Sequence, residues 1–70
     1  MTILGIDPGS ALIGYGVVKN EKRKLTCLDY GVIRVKTKDS SLRLVEIKKL
    51  LEELLSRIKP GLVVIESLFF

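Results

Sequence analysis

Seventy residues, 47% of them hydrophobic and 29% charged, make one folded domain at most, with a core that is marginal unless something else covers it. No apolar run is long enough to span a membrane, and the N-terminus lacks the basic, apolar and small-residue order of a secretory signal, so a cytoplasmic address is expected. Twelve Lys and Arg against eight Asp and Glu leave a net charge of +4, which favours polyanionic partners without identifying one.

Ile3-Leu4-Gly5-Ile6 reads as a short buried strand that delivers Asp7 at its end, and Pro8-Gly9-Ser10 is turn chemistry that stops it there. Gly14 to Lys19 reads as a second strand, and Asn20 to Arg23 as the polar turn of a hairpin. Lys24 to Val35 supplies a third strand whose apolar parity changes near Asp29, which predicts a bulge or bend. Cys27 lies among Leu25, Leu28 and Tyr30 with no second cysteine and no histidine to pair with, and is expected to act as a small core hydrophobe. Lys19, Lys22, Arg23 and Lys24 crowd the hairpin turn, while Arg34, Lys36 and Lys38 follow the third strand. They are either phosphate contacts or ordinary solvated loop charges.

Asp39, Ser40 and Ser41 are competent helix N-caps. Beyond them Leu44, Ile47, Leu50, Leu51, Leu54, Leu55 and Ile58 recur at three- and four-residue steps, the pattern of an amphipathic helix. Lys49 with Glu53, and Glu53 with Arg57, are spaced to form exposed pairs on it. Asp29, Glu46, Glu52 and Glu53 look like ordinary surface acids. Lys59-Pro60-Gly61 ends the helix, and Leu62-Val63-Val64-Ile65 runs into Glu66 without polar alternation, as a parallel strand covered on both faces does. One helix cannot provide that cover, so residues 1–70 are expected to be the N-terminal part of a larger domain, or to rely on a partner.

A right-handed crossover through the helix returns the fourth strand parallel to the third, and an antiparallel meander makes the third parallel to the first. The fourth strand can then lie beside the first, giving the order 3-2-1-4, in which Asp7 and Glu66 end neighbouring strands. Two ionised carboxylates that close require a proton or a cation between them, and a hard divalent ion such as Mg2+ suits an all-oxygen site. Metal-assisted hydrolysis is the chemistry this pairing supports. The plain alternative is that strand ends carry acids because they meet water. Gly5, Gly14 and Gly16 would leave the sheet bare beside Asp7 if their faces coincide, or else mark bends.

Gly5-Ile6-Asp7-Pro8-Gly9-Ser10, Gly14-Tyr15-Gly16-Val17, the amphipathic helix and Ile65-Glu66-Ser67-Leu68-Phe69 together resemble the N-terminal part of the RuvC Holliday-junction resolvases, over nearly the whole sequence. The resemblance implies an α/β, RNase H-like mixed sheet, an incomplete single nuclease domain over residues 1–70, and a homodimeric endonuclease of DNA recombination and repair. It implies phosphodiester hydrolysis at four-way junctions with Mg2+ or Mn2+, and RuvA and RuvB branch-migration proteins as partners. Asp7 and Glu66 match the family's first two catalytic, metal-binding carboxylates, and Phe69 an aromatic position near the junction DNA. The family's two further acids have no counterpart here, so residues 1–70 alone are expected to be inactive. Three other readings stay open: an actin or sugar-kinase type ATP-binding fold, a RuvX-like nuclease of the same superfamily, and a non-enzymatic dimerising or DNA-binding piece.

Overall fold

The computed structural model describes residues 1–9 and 11–66. Its elements are β1 (Thr2–Pro8), β2 (Leu12–Glu21), β3 (Lys24–Arg34), α1 (Ser40–Ile58) and β4 (Leu62–Ile65). The four strands form one sheet in the order β3-β2-β1-β4, with β1 antiparallel to β2, β2 antiparallel to β3, and β1 parallel to β4. This is the expected α/β arrangement, with β2 longer than the glycine-rich run alone indicates.

The β2–β3 turn is tighter than expected. Only Lys22 and Arg23 form it, and both take positive φ, 49° and 67°. Two left-handed residues in a row match the right-handed twist of the flanking strands, which is why the hairpin tolerates them. The anticipated irregularity in β3 is present: Val17 pairs with Asp29 but Val18 with Cys27, so Leu28 is the extra residue of a bulge. Cys27 is not a core residue. It is exposed, because the bulge leaves it on the sheet face that α1 does not cover.

The core lies between the sheet and α1. Leu4 and Ile6 of β1, Ile13 and Val17 of β2, Val35 just past β3, and Leu54 of the helix are buried, with Tyr15, Ile33, Ile47, Leu51 and Ile58 packed around them. Leu4 and Val17 are fully enclosed. Truncating such a side chain to Ala costs about 2 to 5 kcal/mol in a well-packed core. The apolar stripe of α1 is narrower than its spacing implies. Leu44 is 70% exposed and Leu55 37%, since the helix rests over the middle of the sheet and turns both outward.

Asp39 caps α1, its Oδ1 accepting the backbone N–H groups of Ser41 and Leu42 at 3.0 and 3.2 Å. Lys59, in the left-handed region, ends it by donating its N–H to the Leu55 carbonyl at 2.8 Å. The exposed ion pairs differ from the expected ones: Lys48 meets Glu52 at 3.9 Å, and Arg57 reaches across to Asp29 of β3 at 3.3 Å. Arg57 reaches toward the sheet, where the Asp29 carboxylate and the Tyr15 hydroxyl both accept from it. All four residues of β4 are exposed, so α1 covers neither of its faces.

Candidate metal and nucleic-acid site

β1 runs Gly5-Ile6-Asp7 with Ile6 turned into the core, and alternation therefore places Gly5 and Asp7 on the opposite, open face. In the antiparallel ladder Gly5 lies across from Gly16 and Asp7 across from Gly14. The glycine faces do coincide with that of Asp7. None of the described glycines has positive φ, so backbone conformation does not demand glycine at positions 14 and 16. What they supply is space. A Cβ at Gly16 would meet nothing within 4 Å, and one at Gly14 would lie 3.9 Å from the Asp7 Cβ.

On the other side of β1, Ile6 pairs with Ile65, and the Glu66 N–H donates to the Ile6 carbonyl at 3.0 Å. The parallel ladder thus continues one residue beyond β4 and sets Glu66 level with Asp7 on the adjoining strand, about 4.8 Å away across the sheet. Asp7 and Glu66 are both exposed, and with Gly5, Gly14, Gly16 and Val64 they line one shallow depression of about 310 Å3. Gly9 holds the turn after Asp7: a Cβ there would collide with the Leu12 carbonyl.

Two neighbouring carboxylates with no basic side chain among the lining residues form an all-oxygen donor pair that suits a hard divalent cation. Among the described residues no group of three or more metal-ligating side chains converges.

The hairpin cations are not part of this depression. Lys19 lies five residues along β2 from Gly14, about 17 Å at 3.4 Å per residue, and by alternation on the opposite face. It is paired with Glu21 at 3.2 Å, and Lys22, Arg23 and Lys24 lie further still along the hairpin. Phe69 and Phe70 lie outside the described residues, as does Ser10.

Two acids that look ordinary in the sequence have definite work. Glu46 accepts the backbone N–H groups of Lys36 and Thr37 at 3.1 and 2.8 Å, which ties the β3–α1 link to the helix. Those bonds hold its carboxyl below the usual carboxylate range. Asp29 accepts from Arg57, whose other nitrogen donates to the Tyr15 hydroxyl at 3.3 Å. The Tyr15 contact, then Asp29, raises the Arg57 guanidinium above its already high value. Neither role has a sequence signature, since each partner lies at least nine residues away.

The family model described as "Crossover junction endodeoxyribonuclease RuvC" matches residues 3–70. A protein of that name from Alkaliphilus metalliredigens is 51% identical over the whole chain, which spans 43% of that protein. The Thermus thermophilus RuvC structure in complex with a Holliday junction substrate superposes with a TM-score of 0.82 at 32% identity, over all of this chain and 46% of that one. The Aquifex aeolicus Ppx/GppA phosphatase shares the fold over 93% of this chain and 25% of its own, with a TM-score of 0.69, but at 20% identity the likeness speaks to the fold alone. The chain spans less than half the length of the RuvC relatives it matches. It belongs to the RuvC family of crossover junction endodeoxyribonucleases.

Proposed function

We propose that residues 1–70 form the N-terminal part of a single RNase H-like nuclease domain in a metal-dependent endonuclease that resolves four-way DNA junctions during recombination and repair. The observation that carries this is the placement of Asp7 and Glu66 level on adjoining parallel strands, above a floor kept bare by Gly14 and Gly16. Family membership supports the metal dependence, and the Thermus thermophilus relative, whose structure is in complex with a Holliday junction substrate, supports the substrate class. Mg2+ or Mn2+ fits the oxygen donors, a homodimer with RuvA and RuvB as partners fits the family, and a cytoplasmic address goes with such a role.

Asp7 and Glu66 would hold the cation. When bound, it supplies the acidity that makes water a nucleophile and the charge that steadies the departing oxygen of the phosphodiester. Glu66 is also placed to accept a hydrogen bond from the attacking water, orienting it toward phosphorus. The absence of side chains at positions 14 and 16 lets a sugar-phosphate backbone descend to the acids, and basic residues neutralise its phosphates without reading sequence. Two carboxylates are an incomplete set, so residues 1–70 on their own are expected to be inactive. Phe69, at the position matching the family's junction-facing aromatic, is assigned to stack on an unpaired base, worth about 1 to 3 kcal/mol.

Asp7→Asn in the intact protein tests the assignment. Junction cleavage with Mg2+ should fall by several orders of magnitude while junction binding persists, because the lost group handles the cation and not phosphate. Cleavage at near the parental rate would remove Asp7 from the site. Titration calorimetry with ATP distinguishes the nucleotide-binding alternative, which requires heat of binding where the nuclease reading requires none.

A further inference from the structure

The hairpin cluster is the densest run of positive charge in the sequence, but the structure puts a different set of cations at the Asp7 end of the sheet. β3 is parallel to β1, so its last residue, Arg34, lies at the Asp7 end of the sheet. Arg34 pairs with Leu12, two residues before Gly14 on β2, and alternation puts both on the face that carries Asp7. Two inter-strand spacings sideways and two residues lengthwise separate Arg34 from Asp7, about 12 Å between backbones. The surface between them holds Gly14 and the exposed apolar side chains of Leu12 and Val32.

The link after Arg34 is fixed in place. The Val35 N–H donates to the Ala11 carbonyl at 2.9 Å, tying the link to the turn that follows Asp7, and the next two N–H groups are held by Glu46. Lys36 and Lys38 are therefore held at the same end of the sheet, where the link turns over its edge toward α1, and with Arg34 they are exposed. Among the described residues none of the three has a carboxylate within salt-bridge distance, whereas Lys19 of the hairpin does. After those hydrogen bonds, the charge of Lys36 adds to the acidity of Glu46 without a salt bridge between the two.

We infer that Arg34, Lys36 and Lys38 form a phosphate-binding rim that holds the DNA strand leading to the Asp7–Glu66 site, with Glu46 as the residue that positions it, and that the hairpin cations do not hold that strand. A separation of about 12 Å is three to four nucleotides of one strand at about 3.4 Å each, so Arg34 meets a phosphate that many positions from the one at the acids. The bare path over Gly14 carries the intervening backbone, with Leu12 and Val32 against the sugars. The inference rests on the proposed nuclease function, and deepens it by naming which cations hold the substrate.

The test uses the intact protein and a fluorescent four-way junction without divalent metal, with affinity read by anisotropy across a salt series. Each phosphate contact contributes about 0.9 to the slope of log K against log salt. Arg34→Gln with Lys36→Gln and Lys38→Gln should lower that slope by about 2 to 3, and Glu46→Ala should lower it partly while leaving the net positive charge no smaller. Lys22→Asn with Arg23→Gly, which removes two hairpin charges, should leave it unchanged. If the triple variant melts early, Arg34→Gln alone is read, with an expected loss of about 1, restored by Arg34→Lys. A triple variant with the parental slope, or a hairpin variant that carries the loss, overturns the rim while the parent still cleaves junctions. A parent that neither binds nor cleaves junction DNA overturns the rim together with the function it rests on.

Discussion

Gly14 faces Asp7 directly across the β1–β2 ladder, and a Cβ there would touch the Asp7 Cβ at 3.9 Å. Gly16, two residues along the same face, has no neighbour within 4 Å of where a side chain would begin. Glycine inside a strand forfeits stability, and neither position needs it for backbone conformation. A bare floor is what the proposed approach of a sugar-phosphate backbone to the two acids would require.

Gly16→Val should accordingly leave the melting temperature of the intact protein unchanged or slightly raised, because a β-branched residue suits a strand and the space is open. Junction cleavage should fall at least about tenfold, the loss expected when a reacting group is held off by about an ångström. Thermal melting and single-turnover cleavage measured on one preparation check both halves. A variant that cleaves normally would mean the substrate does not approach over Gly16.

Gly31 faces the ring of Tyr15, where a Cβ would come within 2.8 Å of the hydroxyl and 3.0 Å of the ring carbon that bears it. The hydroxyl is engaged by Arg57, so the ring cannot withdraw without breaking the tie between α1 and β2. Gly31→Ala should destabilise by about 1 to 3 kcal/mol, as overpacking does. Urea unfolding should show a lower midpoint at unchanged slope. Tyr15→Phe should make Gly31→Ala less costly, because the atom that clashes first is then gone.

The turn at Lys22 and Arg23 holds two non-glycine residues at positive φ. Left-handed backbone costs an ordinary L-residue about 1 to 2 kcal/mol, and type I′ hairpins favour Asn-Gly for that reason. Lys22→Asn with Arg23→Gly should raise stability by about 1 kcal/mol, measured by denaturant midpoint. A fall in stability would mean that the two side chains make contacts that outweigh their backbone strain.

Asp39 and Glu46 both have carboxyls held below the usual range, Asp39 by the Ser41 side chain first and then by the N–H groups of Leu42 and Ser41, Glu46 by the Lys36 and Thr37 N–H groups. A depressed folded-state pKa adds stability that is fully present above the unfolded value and is lost as pH falls through the folded one. Stability should therefore decline on acidification below about pH 4, where unfolded carboxylates take up protons. Asp39→Asn, which keeps a capping oxygen, and Glu46→Gln should each flatten that decline when melting temperature is followed against pH. An unchanged acid limb in the double variant would assign the decline to other acids.

Much of this molecule follows from local pattern. Strand runs ending in Asp7 and Glu66, the parity change that marks the bulge at Leu28, the helix repeat and its stop at Lys59 are all consequences of neighbouring residues, and the crossover rule makes the fourth strand parallel to the first and free to lie beside it, as it does in the order β3-β2-β1-β4. That order alone brings the two acids together. Tertiary structure decided what depends on which surfaces meet. The helix came to rest over the middle of the sheet, so Leu44 and Leu55 face outward and β4 is uncovered on both sides. The bulge turned Cys27 out of the core, and Arg57 left its neighbour Glu53 for Asp29 and Tyr15, which no spacing along one helix could signal. Charge density along the chain pointed to the hairpin. Strand direction separates residues 19–24 from Asp7 by half the length of β2 or more, and returns Arg34, at the far end of β3, to the Asp7 end of the sheet.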